Sequence, residues 1–374
     1  MRIGIDLLWV KPQKSGGIES YIRNLLNGFL KYEDDKYEFI LFTSINNNET
    51  FLPYLKSKKF SNILCNVDSS RVGKRIIWEN LHLNHKCKEN NIDILFVPVY
   101  SKPLINDAAI KYVTTIHDLQ AMHYPMYFSW KKRMWLKFAW KKSSKTSDRI
   151  IAISNFVKND IIDKFQIEEE KIKVIYNPIV KTVQTLGSNY IEEKYGLKAG
   201  SYFYTVAQLL PHKNIKTLLY VMSEIKSSHI DLPNKLVISG VGGKDKEELK
   251  SIIKTLNIEE NIIITGFVSD EERDLLYENA KMFLFPSIFE GFGMPPIEAM
   301  ELGTTVITTR CSCIPEVTEE RAYYVEDPYD VNDWIENIMK AMKDKNKIKV
   351  TFPNYYLENI TKEYLKCFTE VYES

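Results

Sequence analysis

Residues 282–300 read MFLFPSIFEGFGMPPIEAM, and this stretch indicates the fold of the chain. The apolar residues Met282–Phe285 predict a buried strand, and Pro295 is suited to the first turn of a helix that follows it. Between them, Gly291 and Gly293 allow the backbone to approach a ligand closely. A strand, a glycine loop and a helix in this order form the repeating unit of a parallel α/β sheet.

Similar short apolar runs, bounded by turn residues and separated by helix-like stretches, recur along the chain. In the first half we predict strands at residues 3–8, 38–42, 92–98, 112–116, 150–153 and 173–176. In the second half we predict strands at residues 202–206, 235–239, 262–265, 282–285 and 305–308. These runs are apolar on both sides of the pleat, which is typical of a parallel sheet covered by helices on both faces. The sequence therefore predicts an α/β fold in which one architecture occurs twice.

The length of 374 residues also favours two domains, because single hydrophobic cores stop growing at roughly 250 to 300 residues. Polar residues in the segment 176–187 predict the connection, so we place the two domains at residues 1–180 and 181–354. Residues 355–374 have apolar side chains at helical spacing. We expect them to form a helix that packs back on the first domain or between the two domains.

The composition is that of a soluble globular protein, with 44% hydrophobic residues and a net charge of +1. A charge this close to zero argues against a nucleic-acid-binding protein. The five cysteines are scattered, which favours a reducing cytosol, and Cys311 and Cys313 are more typical of ordinary thiols than of a metal site. No signal peptide and no apolar run long enough to span a membrane is evident, so we expect a cytoplasmic protein.

The helix after the glycine loop predicts an anion site. Unpaired amides and the positive end of the helix dipole can hold a pyrophosphate without a metal ion. The residues that we expect to line this site are Gly291, Phe292, Gly293, Met294 and Pro295. Glu290 is placed to hydrogen-bond a sugar, and Glu298 is placed to reach ribose hydroxyls. The alternatives are that Glu290 is a solvated loop acid and that Glu298 only complements the helix dipole.

These two glutamates, with seven residues between them in FEGFGMPPIEAM, resemble the signature of the retaining glycosyltransferases of family 4. The resemblance implies the GT-B fold, in which two Rossmann-like domains have parallel sheets that face each other across a cleft. Further segments match the family in order between Met1 and about Asp327. They are Ser15-Gly16-Gly17-Ile18-Glu19, Thr115-Ile116-His117-Asp118-Leu119, Ile153-Ser154-Asn155-Phe156, Pro211-His212-Lys213-Asn214 and Thr265-Gly266-Phe267-Val268.

The resemblance implies that the first domain binds the acceptor and that the second binds the nucleotide sugar. In the first domain, the amides of Gly16 and Gly17 would cradle the phosphate or sugar, and the imidazole of His117 would contact a sugar hydroxyl. Asp118 and Ser154 join them as substrate-binding residues. The residues alone leave other interpretations open, with Gly16 and Gly17 as a plain turn, and His117 and Asp118 as a structural pair.

In the second domain, the resemblance implies that Lys213 neutralises the diphosphate and that Val268 reads the edge of the nucleobase. The other interpretation is that Lys213 is an exposed surface lysine. The family usually has an arginine a few residues before this lysine, and Gln208 stands near that position here as a substrate-binding residue without charge. His212 adds a positive charge only if it is protonated. The predicted catalytic residues are Glu290, His117 and Lys213.

No Asp-x-Asp motif lies near the donor loop, so we expect no metal ion or other cofactor, and a leaving group stabilised by Lys213 and the helix amides. No covalent nucleophile is evident, and the resemblance favours attack from the same face of the sugar, with retention of configuration. By resemblance, the expected activity is transfer of a hexose from a nucleoside-diphosphate sugar, with a preference for GDP-mannose, to a glycan or lipid-linked acceptor of a bacterial surface polysaccharide. The alternatives are an epimerase with the same fold and a non-catalytic nucleotide-sugar-binding protein.

Residues 128–142 combine cations with aromatic residues, as interfacial helices do. Trp130, Met134, Trp135 and Phe138 fall on one face of a helix, which favours contact with the inner face of the cell membrane for a lipid-linked acceptor. The other interpretation is an ordinary amphipathic helix, with its aromatic face in the core and its lysines in water.

Overall fold

The computed structural model divides the protein into two compact units. It describes residues 1–12, 16–100, 102–344 and 349–374. The first unit contains Met1–Val180 together with Pro353–Ser374, and the second contains Lys181–Phe352. Among the described residues, no helix is both long enough and apolar enough to cross a membrane.

A parallel sheet forms the centre of the first unit. Its described strands are β1 (Arg2–Asp6), β2 (Glu38–Ser44), β3 (Phe60–Cys65), β4 (Ile94–Val97), β5 (Lys111–Ile116), β6 (Arg149–Ala152) and β7 (Ile172–Val174). They lie in the order β3-β2-β1-β4-β5-β6-β7, and all neighbouring pairs are parallel. The chain reverses its direction of travel across the sheet between β1 and β4, and open α/β sheets bind ligands at the carboxyl ends of strands at such a point.

Helices connect these strands and cover both faces of the sheet. Those before the second unit are α1 (Gly16–Lys31), α2 (Asn48–Phe51), α3 (Val72–Trp78), α4 (Asn84–Glu89), α5 (Gln120–His123), α6 (Trp130–Thr146) and α7 (Asn155–Phe165). Phe39 and Leu41 of β2 enter the core that contains α1, whereas Ile40 and Phe42 enter the core on the opposite face. Burial on both faces explains why the strands are continuous apolar runs in the sequence.

The second unit is built in the same way. Its described strands are β8 (Phe203–Val206), β9 (Leu236–Ser239), β10 (Ile262–Gly266), β11 (Met282–Phe285), β12 (Val306–Thr309) and β13 (Tyr323–Val325). They are parallel in the order β10-β9-β8-β11-β12-β13, so the direction of travel reverses between β8 and β11. Its described helices are α8 (Tyr190–Tyr195), α9 (Ile215–Ser227), α10 (Gly243–Thr255), α11 (Asp270–Asn279), α12 (Met294–Glu301), α13 (Ile314–Val317) and α14 (Val331–Lys343). Leu218 of α9 and Trp334 of α14 are fully buried in its core.

The predicted α/β fold with two parallel sheets is confirmed, and every predicted strand corresponds to an observed one with slightly different ends. Two observed strands, β3 and β13, were not predicted. Both lie at a sheet edge, where one side of the strand is less completely buried. Ser61 and Asn62 interrupt the apolar pattern of β3, and β13 has only three residues, so neither strand produces a strong periodic signal.

The chain returns to the first unit after the second is complete, as helix α15 (Leu357–Glu373). Its apolar face, which includes Tyr364 and Phe368, belongs to the core that contains α1. The hydroxyls of Tyr364 and Tyr21 are 2.5 Å apart in this core. Helices α1 and α15 approach closely at Gly28, where a Cβ would lie 2.0 Å from Thr361 Oγ1.

Candidate active site

The carboxyl ends of β8 and β11 lie side by side at the reversal point of the second unit. The segment after β8 contains Pro211–Lys213, and residues 286–293 lead from β11 to α12. Two hydrogen bonds join these segments, because the carbonyl of His212 accepts from the amide of Ile288 (2.8 Å) and from Ser287 Oγ (3.1 Å). These bonds fix the two loops relative to each other, and with them the positions of Lys213 and Glu290.

The ammonium of Lys213 and the carboxylate of Glu290 meet at this junction. Lys213 Nζ donates to Glu290 Oε1 at 2.6 Å, and both side chains are largely buried. The structure thus brings together two of the residues predicted as catalytic, and the interpretation of Lys213 as an exposed surface lysine is wrong. His117, the third, belongs to the first unit.

Helix α12 begins directly after this loop. Gly293 precedes it with a φ of 83°, a left-handed conformation that favours glycine, and Pro295 lies in the first turn. A Cβ at Gly293 would lie 3.7 Å from Glu290 Cγ, so the end of the loop packs on the Glu290 side chain. Gly291 and Phe292 are buried. Because the first amides of a helix have no partners within it, the start of α12 at Met294 can bind an anion.

The carboxylate of Glu298 is held by α11. Tyr277 Oη donates to Glu298 Oε2 at 3.3 Å, and Arg273 Nε lies 3.6 Å from the same oxygen. Burial raises the pKa of Glu298, and the positive charge of Arg273 opposes this effect. Glu298 therefore does more than complement the helix dipole, and its contact with ribose stays a prediction.

His212 does not supply a second positive charge next to Lys213. Burial, followed by the charge of Lys213, lowers the pKa of His212 to about 4, so the imidazole is neutral at pH 7. Gln208 is exposed, and its backbone carbonyl accepts from the backbone amide of Leu210 at 2.8 Å. Lys213 therefore provides the cationic charge of this segment.

The turns after β9 and β10 lie at the same carboxyl edge of the second sheet, beside the segment that follows β8. Gly240 has a φ of 86°, and a Cβ there would lie 3.0 Å from the carbonyl oxygen of Ala207, so the turn requires glycine. Val268 follows β10, and the adjacent side chain of Phe267 is 77% exposed. A Cβ at Gly242 would lie 3.1 Å from the Phe267 ring. The contact of Val268 with a nucleobase stays a prediction.

In the first unit, Gly16 and Gly17 form the start of α1. Gly16 has a φ of 57°, and a Cβ at either glycine would meet open space. The backbone of these two glycines is therefore accessible to a ligand, and its contact with a phosphate or sugar stays a prediction. Ser15, which belongs to the same motif, lies outside the described residues.

His117 follows β5 and is held by neighbouring groups. Its Nε2 donates to the carbonyl of Pro98 at 2.9 Å, and its ring packs edge-on against Tyr21 with 4.8 Å between the centroids. Burial lowers the pKa of His117 to about 4, so the side chain is neutral at pH 7 and Nδ1 is a hydrogen-bond acceptor. Asp118 accepts from the amide of Gln120 at 2.9 Å. The contact of His117 with a sugar hydroxyl stays a prediction.

Ser154 caps helix α7. Its Oγ accepts from the amide of Val157 at 3.2 Å, and the residue is fully buried. Serine is among the residues that best satisfy the unpaired amides at a helix start. The cap accounts for a serine at this strand end, and its predicted contact with substrate stays a prediction.

The loop after β12 makes two contacts with Glu290 that the sequence did not predict. Ser312 Oγ accepts from the amide of Glu290 at 2.9 Å, and Cys313 Sγ donates to its carbonyl at 3.1 Å. Cys311 and Cys313 are free thiols. Within the part of the chain that the structure describes, no group of three His, Cys, Asp or Glu side chains is arranged to hold a metal ion.

Helix α6 contradicts the interpretation of residues 128–142 as an ordinary amphipathic helix with its aromatic face in the core. Its outer side exposes Trp130 (67%), Met134 (63%) and Phe138 (50%), so these side chains are not in the core. The residues of its buried side are Leu136, Ala139, Trp140, Ser143 and Ser144. Trp135 is half-buried and lines a small cavity with Ala139, so the prediction that it shares the exposed face is wrong.

Comparisons with known proteins agree with this fold. Residues 15–181 match the family model Glycosyltransferase Family 4, and residues 190–355 match the model Glycosyl transferases group 1. The chain is 30% identical over 298 residues to the O-antigen chain mannosyltransferase RfbU of Salmonella typhimurium, covering 79% of this chain and 78% of that protein. It is 28% identical over 242 residues to the O-antigen chain mannosyltransferase B of Escherichia coli, covering 62% of this chain and 61% of that protein.

Solved structures show the same fold at low sequence identity. The crystal structure of Anabaena Alr3699/HepE in complex with UDP is 16% identical and superposes with a TM-score of 0.74, covering 99% of both chains. Sucrose-phosphate synthase from Thermosynechococcus elongatus is 14% identical with a TM-score of 0.77, covering 100% of this chain and 99% of that one. Since the family models match both units and a curated relative matches most of the chain, the protein belongs to glycosyltransferase family 4, with the GT-B fold, and is a hexosyltransferase.

Proposed function

We propose that this enzyme transfers a hexose from a nucleoside-diphosphate sugar to a glycan or lipid-linked acceptor of a bacterial surface polysaccharide. The main support is the ion pair of Lys213 and Glu290 at the carboxyl ends of β8 and β11, next to the start of α12. The solved relative with bound UDP supports a nucleotide-sugar donor. The names of the two mannosyltransferases above favour mannose as the sugar, and therefore GDP-mannose as the donor.

The proposed chemistry depends on charge that develops on the leaving diphosphate as the glycosidic bond breaks. Lys213 Nζ and the first amides of α12 can stabilise that charge without a metal ion. An entering diphosphate competes with Glu290 for Lys213, and the released carboxylate can then accept hydrogen bonds from the sugar. The ion pair therefore couples diphosphate binding to positioning of the sugar, and we propose attack from the same face with retention of configuration.

The test separates binding from turnover in two variants. Thermal shifts with UDP, GDP, ADP and dTDP sugars identify the donor, because a ligand of the folded state raises the melting temperature. Transfer from that donor is then measured in the presence of EDTA. Glu290→Ala is expected to keep the ligand-induced shift and lose about a hundredfold in kcat. Lys213→Met is expected to lose the shift itself, since it removes the cation that faces the diphosphate.

Lys216→Met is the matched control, because Lys216 is exposed near the start of α9 and pairs with Glu248. Full activity of Glu290→Ala would remove this residue from the site. Consumption of the donor without an acceptor would indicate an epimerase or a hydrolytic reaction instead. A protein that none of the four donor classes stabilises would contradict the donor assignment, and loss of transfer in EDTA would contradict a metal-independent reaction.

We also propose that the outer side of α6 contacts an anionic membrane surface. The helix contains no acidic residue, and its basic residues are Lys131, Lys132, Arg133, Lys137, Lys141, Lys142 and Lys145. Together with the exposed side chains of Trp130, Met134 and Phe138, they form what we call the cationic apolar surface. Apolar side chains that enter the headgroup region and cations that attract anionic lipids are the usual means of peripheral binding. Such contact would place the enzyme next to a lipid-linked acceptor.

A further inference from the structure

The loop after β12 holds the backbone of Glu290 from two sides. Ser312 Oγ accepts the amide hydrogen of Glu290, and the thiol of Cys313 donates to the carbonyl of Glu290. Two adjacent side chains of one loop therefore bind both backbone polar groups of a single residue, while its carboxylate pairs with Lys213. The peptide units on both sides of Glu290 are restrained, and with them the direction of its side chain.

Ser312 has a backbone conformation that favours glycine, although the residue carries a side chain. Its φ is 51°, in the left-handed region that is unfavourable for a residue with a Cβ and favours glycine. A glycine would relieve this strain, but it would also remove the hydroxyl that binds Glu290. Strained backbone is found most often at functional sites. Here the strain coincides with a hydrogen bond to a predicted site residue.

The thiol of Cys313 is equally suited to its contact. The residue is fully buried, and burial raises the pKa of the thiol well above its usual value, so it stays protonated. Only the protonated form can donate to a carbonyl.

Two threonines of β12 extend this pattern toward β11. Thr308 Oγ1 donates to the carbonyl of Phe285 at 2.9 Å, and Thr309 Oγ1 donates to the carbonyl of Ser287 at 2.5 Å. Strand β12 and its loop therefore hold the backbone at several points between the end of β11 and Glu290.

We propose that Ser312 and Cys313 are positioning residues that hold Glu290 in the orientation that the transfer reaction requires. This inference rests on the proposed function, because it concerns the group that contacts the sugar there. The hydrogen bonds that Ser312 and Cys313 make to Glu290 go to its backbone, so we expect their effect on the reaction to pass through that residue. Their loss is expected to slow the reaction without weakening the hold of Lys213 on the diphosphate.

Matched substitutions separate positioning from stability. Ser312→Gly removes the hydroxyl and relieves the strain, so its melting temperature is expected to stay or rise. Its kcat is expected to fall about tenfold, with an unchanged KM for the donor, because a small displacement of a catalytic group slows the reaction strongly. Cys313→Ala is expected to lower kcat in the same way. Cys313→Ser keeps a hydrogen-bond donor and is expected to recover most of the rate. Ser251→Ala, which removes an exposed hydroxyl of α10 in the same unit, is the control with unchanged kinetics.

Wild-type kcat in both Ser312→Gly and Cys313→Ala would overturn the positioning role. A failure of the wild type to transfer hexose from any of the UDP, GDP, ADP and dTDP sugars would instead contradict the proposed function. Amide hydrogen exchange at Glu290 tests the restraint independently of activity, and exchange is expected to be faster in Ser312→Gly than in the wild type. Equal exchange rates would also overturn the inference.

Discussion

His117 is a neutral side chain with one ring nitrogen already engaged. Because Nε2 donates to the Pro98 carbonyl, Nδ1 is the nitrogen that can accept a hydrogen bond from a sugar hydroxyl. Burial also makes this residue sensitive to acid, since it lowers the pKa from the usual 6.5 to about 4. Between these two values the unfolded chain binds a proton that the folded unit does not, so acidification favours unfolding.

We expect the free energy of unfolding to decrease between pH 6.5 and about 4, and part of this decrease to disappear in His117→Gln. The stability that His117 contributes is fully present above pH 6.5 and is lost near pH 4. The measurement is the midpoint of urea denaturation at a series of pH values for both proteins. His82→Gln removes an exposed imidazole and serves as the control. Curves that run parallel for the wild type and His117→Gln would contradict this account.

The sequence predicted the residue types of the candidate site better than their contacts. Lys213 and Glu290 were recognisable because each lies in a motif directly after a strand, where parallel sheets bind ligands. Their pairing with each other was not predictable, because they lie 77 positions apart in the sequence and the two loops meet only in the fold. Ser312 and Cys313 gave no signal for the same reason. Ser154 was predicted from a motif as a substrate residue, and the structure adds its role as a helix cap.

Helices α1 and α15 show how a single position can set the distance between two elements. Gly28 faces Thr361 so closely that a Cβ would lie 2.0 Å from Thr361 Oγ1 and 3.1 Å from Leu357 Cδ1. Thr361 Oγ1 also donates to the Leu357 carbonyl at 2.6 Å, which holds the hydroxyl in place. Any larger side chain at this point requires the side chain of Thr361, or the helix that carries it, to shift.

Gly28→Ala is therefore expected to destabilise the protein by about 1 to 3 kcal/mol, the usual cost of overpacking. Thr361→Ala should recover part of this loss in the double variant, because the two residues are in direct contact. Chemical denaturation of the two single variants and the double variant measures the coupling. Gly73→Ala is the control, since a Cβ there meets open space within helix α3. Additive effects of Gly28→Ala and Thr361→Ala would argue against this packing.

The elements themselves were predictable where the pattern of apolar residues was long and regular. The central strands were found because both of their faces are apolar, whereas two of the four described edge strands, β3 and β13, were missed. The orientation of α6 was not predictable, because aromatic and apolar residues occur around most of its circumference. Which of them faces the core depends on the neighbouring elements, and these put Trp140 inside and Trp130 outside.

Charge is distributed unevenly over the protein. The net charge of the chain is +1, yet α6 alone carries seven basic residues and no acidic one. The cationic apolar surface is therefore a local feature that the overall composition conceals. Attraction to an anionic surface depends on such local charge and weakens as salt screens it.

We expect the protein to sediment with vesicles that contain anionic lipid and to remain in solution with vesicles of phosphatidylcholine alone. Replacement of Trp130 and Phe138 by serine is expected to weaken this binding about tenfold, because apolar contact with the headgroup region is lost. Tyr220→Ser, which removes an exposed aromatic ring of the second unit, is the control. Sedimentation of the double variant to the same extent as the wild type would exclude α6 as the contact.

The return of residues 353–374 to the first unit affects how the protein is made. In a protein of several domains, the amino-terminal domain generally folds first, during synthesis. Here the core around α1 lacks Tyr364 and Phe368 until after the whole of the second unit has been synthesised. The first unit is therefore the first to be translated and the last to be completed. Its core around α1 stays uncovered until α15 has been synthesised.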